Sequence, residues 1–120
     1  MVWQRGMKIA LTIYRETEKM PKAELFSLTS QMRRAASSIP MNIAEGFGKH
    51  SRPEFIRGLR IAVGSLLELM TAYEIATELK MIAPKETTLE LLAEESRLIH
   101  SLIRKLELKG PEDKPTRKKP

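Results

Sequence analysis

The sequence predicts an all-α protein, an antiparallel up-and-down four-helix bundle. Three observations lead to this fold class. Apolar residues recur every three or four positions in four segments, proline or glycine separates the segments, and no segment alternates like a strand. The 120 residues suit one domain, with residues 1–109 forming the bundle. Residues 110–120 are rich in proline and charge, so we expect a disordered charged tail there.

The first predicted helix runs from about Trp3 to Glu18 and ends before Met20-Pro21. Its predicted core face follows a line of residues spaced four and three apart: Trp3, Met7, Ala10, Tyr14 and Thr17. Three aliphatic residues widen this face: Ile9, Leu11 and Ile13.

The second predicted helix runs from about Lys22 to Phe47 and continues through Pro40, where we expect a kink because proline removes one backbone hydrogen bond. Gly46 and Gly48 are predicted to end it. Its apolar seam consists of Leu25, Leu28, Met32, Ala35, Ile39, Asn42 and Gly46.

The third predicted helix opens at Ser51, where Pro53 and Glu54 complete a capping box. Its unbroken seam is Phe55, Leu59, Ala62, Leu66, Leu69, Tyr73 and Ala76. A second stripe of Ile56, Val63, Leu67 and Met70 indicates burial against several helices or another subunit.

The fourth predicted helix spans about Glu86 to Leu108, with Leu89, Leu92, Ile99, Ile103 and Leu106 toward the core. Short connections favour antiparallel neighbours. Counting from the loop near position 50, we expect Arg34 to lie near Glu68 and Glu45 near Arg57.

Composition limits the function classes. The chain has no cysteine, which excludes disulfides, thiolate metal sites and a cysteine nucleophile. Its first twenty residues are too charged for a signal peptide, and no apolar run approaches the ~20 residues of a membrane span. We therefore expect a soluble cytoplasmic protein.

Candidate catalytic chemistry is sparse. His50 and His100 have no partner at metal-ligand spacing, and Glu45, Glu68 and Glu74 lack the Glu-x-x-His pattern of a di-iron bundle. The glycines around Phe47 lack the strand and spacing of a phosphate loop. We predict no catalytic residue, no metal and no cofactor, and hence no enzyme.

The formal net charge of +6 lies entirely within residues 1–60. Such an excess is typical either of a polyanion-binding surface or of an ordinarily solvated basic protein. Few aromatic residues accompany it, so any nucleic-acid contact should be to the backbone and depend steeply on salt. The candidate nucleic-acid-binding residues are Arg33, Arg34, Lys49, Arg52, Arg57 and Arg60.

Polar residues also follow one line of the second helix. Gln31, Arg34, Ser38, Asn42 and Glu45 are three or four residues apart and flank its apolar seam. A polar residue within a seam, here Asn42, often fixes register or oligomer state. We expect a hydrogen-bonded network and subunit contact formed by Gln31, Ser38, Asn42, Glu45 and Glu68.

The stretch from Leu28 to Gly46, LTSQMRRAASSIPMNIAEG, resembles the signature of the four-helix bundle family encoded in intervening sequences of large-subunit ribosomal RNA. The likeness continues through Ser51, Glu54 and Phe55 to the segment IAVGSLLE ending at Glu68. Met41, Leu67 and Leu69 depart from the family pattern. The resemblance implies an up-and-down bundle that assembles as a ring, with a pentamer expected, and implies no established catalysis.

Two functions are favoured, and a third, enzymatic, hypothesis would require Glu45, His50 or Glu68 to cluster around a pocket. One is a homo-oligomeric, non-enzymatic module that binds structured RNA or DNA, for which five copies would gather about +30 formal charge. The alternative is an adaptor that binds other proteins and has no nucleic-acid ligand.

Overall fold

The chain folds as an all-α four-helix bundle, and its computed structural model describes residues 1–109. Helices α1 (Val2–Glu16), α2 (Leu28–Gly48), α3 (Arg52–Glu78) and α4 (Glu86–Glu107) follow one another, and no strand occurs within this range. Short 3₁₀ turns at Thr17–Lys19 and Lys22–Glu24 connect α1 to α2. The predicted tail, residues 110–120, lies outside the described residues.

Consecutive helices run antiparallel. Gly6 of α1 lies beside Pro40 of α2, and Thr17 lies beside Arg33. Ser38 of α2 bonds Ser65 of α3 at 2.8 Å between the hydroxyl oxygens. Near the two ends of α3, Arg60 pairs with Glu107 and Tyr73 contacts the start of α4. The α2–α3 hairpin, the beginning of α1 and the end of α4 therefore share one end of the bundle, named here the hairpin end.

Helices α2 and α3 approach so closely that glycine is required at their crossing. A Cβ atom on Gly58 would lie 2.5 Å from the backbone oxygen of Asn42, and one on Gly46 would lie 2.9 Å from that of Glu54. Gly48 ends α2 as predicted, whereas Gly46 is buried two residues before that end and serves this contact. The left-handed residue that turns the chain is His50, with φ of 55°.

The predicted seam of α3 is confirmed, because all seven members are buried. The hydroxyl of Ser51 accepts the amide hydrogen of Glu54 at 3.2 Å, as the capping box requires. The predicted core face of α4 is confirmed at four of five positions, the exception being the exposed Leu89.

The predicted core face of α1 is confirmed at Ile9, Ile13 and Thr17, but its main line is displaced by about one position. Met7 and Tyr14 are exposed, and the buried line is Val2, Gly6, Ile9, Ile13 and Glu16. Gly6 faces the core because its missing side chain leaves room for Glu95 and Pro40.

The predicted start of α2 is also wrong. Ser27 departs from helical geometry, with φ of −126° and ψ of −109°, and α2 begins at Leu28. The Glu24 carboxylate accepts the amide hydrogen of Leu28 at 3.4 Å and so caps the first turn of α2. Leu25 consequently lies outside the seam and is 47% exposed. Pro40 is buried within a continuous α2, and the kink there stays a prediction.

Candidate functional site

The six predicted basic residues do not form one cluster. Arg33 turns toward the end of α1, where its Nε donates to the Thr17 hydroxyl at 2.8 Å and its Nη2 to the Tyr14 carbonyl at 3.3 Å. Its guanidinium carbon lies 5.0 Å from the centroid of the Tyr14 ring. A cation is favourable beside the carbonyls that end a helix. These contacts give Arg33 a structural role between α1 and α2, while Arg34 is exposed on another face.

The other four basic residues, Lys49, Arg52, Arg57 and Arg60, all lie at the hairpin end. Lys49 and Arg57 each lie 3.8 Å from the Glu54 carboxylate, and Arg60 pairs with Glu107 of α4. Arg52 is half-buried in the first turn of α3. The ion pairs are largely exposed, so they are worth at most about 1 kcal/mol each and leave the cations accessible to a polyanion.

The fold adds cations to this end that the sequence analysis did not select. The end of α4 brings Arg104, Lys105 and Lys109 to the same level. Within residues 1–109, the hairpin end (1–5, 41–62 and 98–109) carries eight Lys or Arg and three Glu. The remainder (6–40 and 63–97) carries nine Lys or Arg and ten Glu. Positive charge is thus segregated along the bundle axis.

The predicted polar line is brought together only in part. The Asn42 amide donates to the hydroxyl and to the carbonyl of Ser38, both at 2.8 Å, and Ser38 bonds Ser65 across the helix contact. This network joins α2 to α3. The remaining predicted members are exposed: Gln31, Glu45 and Glu68.

The hairpin register agrees with the sequence prediction to within one residue. Since Ser38 faces Ser65, Arg34 lies level with Leu69, one position from the predicted Glu68. No ion pair joins Arg34 to Glu68 among residues 1–109, although both are exposed beside the helix contact.

Apolar side chains remain exposed along this same contact. Met41 of α2 is 67% exposed, and Ile61 and Ile75 of α3 are 41% and 44% exposed. The three lie on the solvent sides of α2 and α3, where Met41 is one heptad from Arg34, and Ile61 and Ile75 are each one heptad from Glu68. We define the outer face as Arg34, Met41, Glu45, Ile61, Glu68 and Ile75.

A buried polar cluster fastens α4 to α1 and α3, and sequence analysis missed it. The Glu16 carboxylate accepts hydrogen bonds from the Tyr73 hydroxyl at 2.8 Å and from the Thr88 hydroxyl. The Tyr73 oxygen in turn accepts the Lys85 amide hydrogen at 3.1 Å. Burial raises the pKa of Tyr73, so its hydroxyl keeps the proton it donates. These hydrogen bonds hold α1, α3 and α4 together.

The candidate catalytic groups do not converge. Glu45 lies one turn from the hairpin, whereas Glu68 is level with Ala35, ten positions before Glu45 in α2 and roughly 15 Å away at ~1.5 Å per residue. His50 is exposed in the turn. Within residues 1–109, no three His, Asp or Glu side chains are placed to hold a metal ion. Nor is any helix in that range long and apolar enough to cross a membrane.

Comparison with known proteins decides the family. The family model described as 23S rRNA-intervening sequence protein matches residues 1–104. The chain belongs to this family. A solved structure from the S23 ribosomal protein family of Bacteroides thetaiotaomicron, a protein of unknown function, superposes with a TM-score of 0.70. It is 23% identical and covers 91% of this chain and 100% of its own.

That neighbour supports the fold alone, because its identity to this chain is below a quarter. The comparison with curated proteins found no match. The description of the 23S rRNA-intervening sequence protein family names no catalytic activity.

Proposed function

We propose that this chain is a non-enzymatic, homo-oligomeric binding module that binds nucleic acid, structured RNA first, through its hairpin end. The observation that carries the proposal is the segregation of charge. Eight cations against three carboxylates share that end, while the rest of residues 1–109 is nearly balanced. A one-sided excess attracts a polyanion, and lysine and arginine contacts to phosphates release counterions.

Self-association is proposed at the outer face. Met41, Ile61 and Ile75 are large apolar side chains left exposed along one contact, an arrangement that favours an interface. Arg34 and Glu68 lie at nearly one level, and Glu45 and Arg57 at another. A second copy aligned with the first would offer each of these charges an opposite one, in addition to covering the apolar side chains.

The second candidate function, a protein adaptor, rests on the same exposed apolar residues. Under it, the outer face binds a different polypeptide and the chain alone remains a monomer. Solution mass separates the two functions, because only self-association gives a particle heavier than one chain.

Nucleic-acid binding should depend on where charge is removed. In the variant Lys49→Gln/Lys105→Gln/Lys109→Gln, we expect the affinity for a structured RNA hairpin to fall roughly tenfold or more near 50 mM salt. The slope of log affinity against log salt concentration should also become shallower. Each neutralised phosphate contributes ~0.9 to this slope, and the variant loses up to about three phosphate contacts. Fluorescence anisotropy at several salt concentrations measures both quantities.

The matched control removes three charges from the opposite end, as Lys19→Gln/Lys22→Gln/Lys85→Gln. It should retain most of the affinity and the slope. Equal losses in the two triple variants would show that total charge, and not the hairpin end, attracts RNA. Absence of binding by the unmodified chain at low salt would remove the nucleic-acid ligand altogether.

A further inference from the structure

Glu95 of α4 is the most deeply buried charged residue among residues 1–109. It is 0% exposed, and neither carboxylate oxygen has a hydrogen-bond partner within that range. A buried ionised carboxylate is costly unless it is paired and hydrogen-bonded. The proposed function makes no use of this group, so its placement needs a separate explanation.

The carboxyl group lies where α1, α2 and α4 meet. A Cβ atom on Gly6 would be 3.4 Å from Oε2 of Glu95, 3.4 Å from Cβ of Pro40 and 3.3 Å from Cγ2 of Ile39. The missing Gly6 side chain thus provides the space that Glu95 occupies, and α2 lines this space with apolar atoms.

Few charges act on this carboxyl. Those among residues 1–109 are Arg5 and the Met1 amine on α1, which favour the anion, and Glu94 on α4, which disfavours it. Arg5 already pairs with Glu94, at 2.7 Å. Burial outweighs the attraction of Arg5 and raises the pKa of Glu95 to about 8.

We propose that Glu95 is a neutral carboxylic acid in the folded chain and forms a pH-sensitive latch that holds α4 against α1 and α2. Loss of its proton leaves a buried, unpaired anion and loosens α4.

The sign of the pH dependence follows from linkage. A glutamate in the unfolded chain has a pKa near 4.3, and folding raises it to about 8. Between these values the native state binds one more proton than the unfolded state, so stability falls as the pH rises. The contribution is complete below the lower pKa, and above about pH 8 it is lost.

The test compares the full chain with Glu95→Gln, which is nearly isosteric and cannot ionise. We divide the unfolding equilibrium constant of the unmodified chain by that of the variant. This ratio should rise about tenfold per pH unit between roughly pH 5.5 and 7.5, because only the unmodified chain loses stability, and it should level off above about pH 8. Urea denaturation measures it. Every other titratable group is present in both proteins, so only the difference between their stabilities carries the result.

Hydrogen exchange corrected for intrinsic rates should show α4 opening more at about pH 8.5 than at pH 6 in the chain but not in the variant. The variant Glu95→Leu should be equally insensitive to pH, which guards against a folding defect specific to glutamine. Parallel stability curves for the chain and both variants would overturn the latch.

Discussion

Gly58→Ala is expected to destabilise the bundle by about 3 kcal/mol, the upper end of the usual cost of overpacking. The added methyl group would lie 2.5 Å from the Asn42 backbone oxygen and 3.0 Å from Cα of Gly46. Both are backbone atoms, so neither can rotate away, and α2 and α3 must separate along their crossing. Urea denaturation followed by circular dichroism measures the change.

Gly64→Ala is the matched control on the same helix. A Cβ there meets nothing within 4 Å, and alanine is the better helix former by up to about 1 kcal/mol. The control should therefore be neutral or stabilising, opposite in sign to Gly58→Ala. Equal effects at the two positions would mean that helix propensity governs both and that the α2–α3 contact is looser than described.

Glu16→Ala is the second large effect, with an expected loss of about 3 kcal/mol. It removes the acceptor of two buried hydrogen bonds and leaves the Tyr73 and Thr88 hydroxyls without it. Unsatisfied buried donors cost about 1–3 kcal/mol each. Glu16→Gln should lose less, because its amide oxygen still accepts. Thermal and urea unfolding near pH 7 give the values.

The control for Glu16 is its neighbour Glu18, which is exposed on the short 3₁₀ turn. Glu18→Ala should change stability by less than about 0.5 kcal/mol, as surface substitutions do. If the two alanine variants were equally stable, the cluster that joins α1, α3 and α4 would not contribute to folding.

Sequence alone predicted α3 correctly because every buried seam position there carries an apolar or aromatic side chain. In α1 the same method selected the wrong line. Gly6 and Glu16 occupy core positions but contribute no apolar signal, whereas the exposed Met7 and Tyr14 do. Partners on other helices decide this burial: Glu95 for Gly6, and Tyr73 for Glu16.

Some basic residues of the candidate site could be grouped from sequence, whereas others are brought together only by the fold. Lys49 and Arg57 could be placed together from sequence because they are close in the chain and flank one turn. The α4 cations, such as Arg104, lie in a half of the chain with no net charge, so only the fold reveals that they join the hairpin end. Arg33 and Arg34 are adjacent in sequence yet diverge, since neighbouring residues of a helix point about 100° apart.

The central claim is that this member of the 23S rRNA-intervening sequence protein family works as an assembly of identical chains. Light scattering coupled to gel filtration tests it most directly. We expect a particle of discrete mass that is a multiple of the 13.7 kDa chain, with the pentamer as the predicted multiple. Met41→Glu/Ile61→Glu, which places charge on the outer face, should shift it to smaller species. A 13.7 kDa monomer at every concentration would contradict the account and favour the adaptor function instead.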